Sequence, residues 1–107
     1  MTMQRKVRRA LNTWSRAKTD ASRTRALMDI HFLGLDAVPT LKDYLYSEED
    51  EGKLALPAAL FLSYLHLNTG DPLPLDIINQ AAEDGGAYAI AAVQSVRQAF
   101  LEAGSHL

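Results

Sequence analysis

From residue 3 onward the apolar positions of this chain recur at helical spacing. Val7, Leu11 and Trp14 follow i, i+4, i+7, with Met3 and Ala10 widening the stripe. Arg5, Arg9 and Arg16 fall on the opposite side, so residues 1–18 read as an amphipathic helix with a basic outer face, packed on the later helix pairs. "TDAS" breaks the pattern and offers Thr19, Asp20 or Ser22 as an N-cap. A second helix runs to about Leu33, burying Leu27, Ile30 and one of His31 or Leu33, with Gly34 just past its end. The third starts near Asp36 with Pro39 in its first turn and buries Val38, Leu41 and Leu45.

"SEEDEGK" reads as a charged turn, and a fourth helix starts near Leu56. Leu56, Leu60 and Leu67 line one of its faces while Phe61 and Leu65 line the opposite one, which predicts a central position. "NTGDPLP" stops it at Gly70 and opens a fifth helix whose predicted face is Leu75, Ile78 and Ala82. After "EDGG", a sixth runs from about Ala87 to Ala103 and buries Ala89, Val93, Val96 and Phe100. No alternating run with β-branched enrichment appears. The expected fold is all-α, with five or six helices in antiparallel pairs in a single domain over residues 1–107.

Two of these units share a pattern. A shift of 33 residues superimposes Leu56, Ala59, Leu60, Ser63 and Leu67 on Ala89, Ala92, Val93, Val96 and Phe100. A shift of 37 superimposes Val38, Leu41 and Leu45 on Leu75, Ile78 and Ala82. Helix pairs at such a period point to a short solenoid. "LDAVPTLKDYL" followed by "LALPAALFLSYL" resembles a HEAT-type repeat, and "DPLPLDIINQAAEDGGAYAIAAVQSVRQAF" is similar in outline. The resemblance covers residues 36–103. It implies a HEAT-like α-solenoid and binding in general, since HEAT-type proteins are scaffolds and adaptors with some nucleic-acid-binding and lyase-like members. A compact orthogonal helical bundle is the alternative architecture.

Composition adds exclusions. The 107 residues include no cysteine, so disulfides and thiolate sites are ruled out. No apolar h-region follows the basic start, and "LALPAALFLSYLHL" is too short to span a bilayer. A cytoplasmic protein is expected. Its net charge of −2 hides an asymmetry: residues 1–25 hold eight basic side chains against one acid, and residues 26–107 hold three against twelve. Such polarity calls for an anionic partner or an internal match.

Candidate sites arise from that charge. Arg5, Lys6, Arg8, Arg9 and Arg16 are the expected contacts for an anionic partner, and a phosphate backbone would bind them with steep salt dependence. The acidic pI of about 5.8 and the absence of any zinc or RNP motif place nucleic acid second. Trp14 lies on the apolar stripe and is assigned to packing. Asp43, Glu48, Glu49, Asp50 and Glu51 form an acidic surface for a protein partner, of the kind bacterial immunity proteins use against nuclease toxins. Ala59, Ser63 and His66 share the less apolar edge of the fourth helix and are expected to line a groove beside it. "SEEDEG" lacks the alternating ligands of a calcium loop. His31, His66 and His106 sit on separate elements without ligand spacing, and no nucleophile elbow surrounds Ser63. The first expectation is therefore a non-enzymatic protein-interaction module (adaptor, assembly factor or small inhibitor) without metal or cofactor, with a homodimer covering one end as a candidate assembly. The second is a nucleic-acid binder using the basic helix.

Overall fold

The computed structural model describes residues 2–104. Six α-helices succeed one another: α1 (Met3–Arg16), α2 (Asp20–Leu33), α3 (Val38–Tyr46), α4 (Ala55–Thr69), α5 (Leu73–Asp84) and α6 (Ala87–Glu102). A 3-10 turn occupies Gly34–Ala37 and a left-handed turn Glu49–Gly52, and no strand occurs among the described residues. His106 lies outside them.

Local chemistry sets the boundaries. Of the three cap candidates Thr19 is the one used: its Oγ1 accepts from the Ser22 N–H at 3.2 Å. Such a cap contributes about 1 kcal/mol. Thr2 does the same for α1, accepting from the Arg5 N–H at 3.3 Å. Pro39 sits in the first turn of α3, where its missing N–H costs nothing. At the end of α4, Gly70 adopts φ 72°, ψ 0° and donates its N–H to the His66 carbonyl at 2.8 Å. The Asp71 carboxylate then accepts from the Leu73 N–H at 2.8 Å and starts α5. "TGDP" is thus a helix stop and a helix start in immediate succession.

The helices pack as three consecutive pairs. Sequence neighbours pair as α1 on α2, α3 on α4 and α5 on α6, but α4 is the hub, meeting α6 as extensively as α3 and meeting α5 more extensively than α6 does. Between pairs, α4 meets α6, α5 and, over less length, α2 and α1, while α3 meets α1, α5 and α6. The first and third pairs make at most marginal contact with each other, so the middle pair separates them. Tyr88 at the start of α6 lies against Gly52 just before α4, so both helices begin at the same end. The buried side chains form one continuous cluster drawn from all six helices, with Phe61, Leu62 and Leu65 of α4 at its centre. Burying each of these contributes roughly 1.5–3 kcal/mol.

The faces differ from expectation on α4, α5 and α2. Leu56 and Leu67 are 46% and 51% exposed, whereas Ala58, Ala59 and Ser63 are fully buried. The small residues are buried together with the expected Phe61 and Leu65 and with Leu62, while Leu56 and Leu67 are left outside. On α5 the buried stripe is Pro74, Ile77, Ile78 and Ala81, with Leu75 and Ala82 only half-buried. On α2, Ala26 and Ile30 are buried, Leu27 and Leu33 half-buried, and His31 exposed.

Candidate interaction surfaces

On α1 the basic stripe stands outside the packed face. Val7, Ala10 and Leu11 are buried, and Trp14 packs edge-on against Phe61 with ring centroids 5.9 Å apart. That contact supports the assignment of Trp14 to packing. Arg5, Lys6, Arg9 and Arg16 are exposed, and Arg8 is half-buried. The Arg8 guanidinium meets the Glu49 carboxylate at 3.3 Å and lies over the Tyr44 ring, 5.9 Å from its centroid. One cation of the basic helix is therefore matched internally by the acidic turn. The other ion pair among the described residues is Arg23–Asp20 at 3.2 Å, so Arg5, Lys6, Arg9, Arg16 and Arg25 have no carboxylate partner there.

Between α1 and α2 runs an open groove of about 620 Å³. Lys6, Arg9 and Thr13 line it from α1 at i, i+3, i+7. Ser22, Arg25, Asp29 and Phe32 line it from α2 at i, i+3, i+7, i+10. Phe32 is 79% exposed, the barest large apolar side chain among the described residues. It lies on the side of α2 opposite the buried Ala26 and Ile30, and that placement was the sequence signal for it. The outer face of α1 carries a second, shallower hollow of about 410 Å³ lined by Arg5, Arg8, Arg9, Asn12, Thr13 and Arg16.

The acidic candidates are only partly assembled. Asp43 and Glu49 border one cleft of about 300 Å³ with Gln4, Thr40, Tyr44 and Ser47, and Glu48, Asp50 and Glu51 are exposed on the adjoining turn. Asp50 and Glu51 hold left-handed backbone conformations, φ 51° and 58°, followed by Gly52 at 69°. Ala59 and Ser63 do not belong to any surface. Both are fully buried, and the Ser63 hydroxyl donates to the Ala59 carbonyl at 2.9 Å. Their expected place in a groove is corrected: small side chains there let α4 be packed closely. His66, in the last turn of α4, donates from Nδ1 to the Asp71 carbonyl at 2.8 Å and ties the α4–α5 turn. It stands about 16 Å along the helix from the acidic turn.

A third polar cluster joins α3 to α5. The Tyr46 hydroxyl donates to Asp84 Oδ1 at 2.6 Å, and Gln80 Nε2 donates to Oδ2 at 2.8 Å. Burial, reinforced by the bond to Asp84, pushes the Tyr46 hydroxyl up to about 12. The same bond, with that from Gln80, holds the Asp84 carboxyl below its ordinary value.

Among the described residues no three His, Asp or Glu side chains are grouped as metal ligands, and no helix is long and apolar enough to cross a membrane. Comparison with known proteins finds no matching family model, and neither a curated protein nor a solved structure matches the chain.

Proposed function

We propose that this is a non-enzymatic, cytoplasmic protein-interaction module that docks an acidic protein in the α1–α2 groove. The observation that carries the reading is Phe32, left bare beside Lys6, Arg9 and Arg25. An exposed aromatic among unpaired cations is the composition of an interface centre, where aromatic and Arg side chains dominate binding energy. Asp29 within the groove and the acidic turn joined to α1 through Arg8 disfavour a long run of phosphates. In this reading the three pairs form a short HEAT-like solenoid, supported by the pair-on-pair packing and the common starting end of α4 and α6. Its first pair presents the open end. Affinity capture from the native host, with the unaltered chain beside Phe32→Ser and Arg9→Glu/Arg25→Glu, tests the groove. A specific acidic protein lost from both variants is expected; identical captures would sink the reading.

The exposed stripe of Arg5, Arg9 and Arg16 favours a second reading, nucleic-acid binding. It predicts affinity for RNA or DNA that falls steeply with salt and vanishes when the three become Ala.

A further inference from the structure

We propose that the α1–α2 groove takes the exposed face of α5 from a second copy of this chain, so that copies associate head to tail through oppositely charged ends. This rests on the reading of the groove as the docking surface and names its occupant.

Two stripes of identical spacing carry the inference. On α1, Lys6, Arg9, Thr13 and Arg16 follow i, i+3, i+7, i+10; the first three line the groove and Arg16 carries the stripe on into the adjoining hollow of the outer face, and none of the three cations has a carboxylate partner among the described residues. On α5, Leu73, Asp76, Gln80 and Glu83 follow the same spacing, and all four are exposed. Arg9 to Arg16 and Asp76 to Glu83 each span seven residues, about 10.5 Å of helix rise. Laid parallel, the stripes set Asp76 beside Arg9, Gln80 beside Thr13 and Glu83 beside Arg16. Leu73 then falls at the Lys6 end of the groove. Phe32 lies at that same end, because α2 turns back on α1 after Ala17–Thr19. The register therefore brings the half-exposed Leu73 to the bare Phe32 as well as matching the charges.

Net charge agrees. Residues 2–33 carry eight basic and two acidic side chains, and residues 71–104 carry one basic and five acidic. The first and third pairs flank the middle pair and scarcely touch, so neither end can neutralise the other within one copy. Because groove and α5 stripe are different surfaces, each bound copy still offers one of each. Association of this heterologous kind continues beyond two chains.

Sedimentation velocity of the full chain tests this, at low ionic strength and over a rising concentration series. The weight-average mass should climb past two chains and fall to one chain in 1 M salt, where the screening length is about 3 Å. Arg9→Glu/Arg16→Glu and Asp76→Lys/Glu83→Lys should each sediment as a single chain, and their equimolar mixture should associate again. Phe32→Ser should weaken association without altering the circular dichroism. A single-chain mass at every concentration, association indifferent to either charge reversal, or a mixture that stays apart overturns the proposal. If the single-chain protein still captures an acidic protein through Phe32, only the self-association falls; if capture is also lost, the groove reading falls with it.

Discussion

On the α5–α6 pair several polar side chains are engaged within the molecule: Asp84 accepts from Tyr46 and Gln80, Arg97 donates to Asn79 at 2.7 Å, and Gln98 to Glu102 at 3.2 Å. On the α1–α2 pair, Arg5, Lys6, Arg9, Arg16 and Arg25 have no carboxylate partner among the described residues, and the Phe32 ring is bare. The α5–α6 pair also packs on α4 over more of its length than the α1–α2 pair does. The end held more firmly to the core ties its amides and Arg97 internally and leaves Asp76 and Glu83 exposed, while the end held more lightly keeps a cationic face for contact.

The strongest way to break the comparison is through the core that both ends share. Phe61 is fully buried and holds Trp14 of α1, so Phe61→Ala should cost about 3–5 kcal/mol in urea denaturation. Hydrogen exchange on the variant should show α1 losing protection before α6; equal loss would mean that the two ends are equally bound. Gly52→Ala comes next. Its φ of 69° penalises any side chain, and the added methyl would run into Tyr88. A cost of about 1–2 kcal/mol is expected, read as a lower urea midpoint, and it should loosen the α6 end selectively. Phe32→Ser should shift stability by no more than about 0.5 kcal/mol, since the ring contributes little to packing.

The smallest effect sharpens the contrast by pH. With its folded value raised, Tyr46 adds stability that is complete below its ordinary value near 10 and lost as pH climbs through about 12. With its folded value lowered, Asp84 adds stability present above the ordinary carboxylate range and lost as pH falls through its folded value. Tyr46→Phe should therefore flatten the melting-temperature profile at both extremes. A profile unchanged from the parent would show that the α3–α5 tie contributes nothing.

Helix existence and order were legible in the sequence because caps and stops are local chemistry: Thr19, Pro39, Gly34 and Gly70 act within a few residues of themselves. Which side of α4 faces inward was not. Hydropathy favours Leu56 and Leu67, but Ala58, Ala59 and Ser63 permit the closest approach of neighbouring helices and so take the interior. The same error transferred Ala59 and Ser63 to a binding groove. On α5 two apolar stripes compete, and only the packing partner selects Ile77 with Ile78. Of the surface chemistry, the basic face of α1 was readable from spacing alone. Its pairing through Arg8 with Glu49 spans 41 residues and depends on the fold. Phe32 was visible only as a ring set opposite a buried stripe.

The arrangement of helices in successive pairs also bears on how the chain is made. Each pair packs chiefly on the one before or after it, a low-contact-order topology of the kind that folds in microseconds to milliseconds once complete. Completion is the slow part, since ribosomes add only about 5–20 residues per second. Phe61, against which Trp14 packs, is added only with α4, so the first pair is made before the centre of the core it joins. Charge changes along the same order: residues 1–33 carry eight basic and two acidic side chains, residues 1–51 nine and eight, and the balance turns negative only within the last pair.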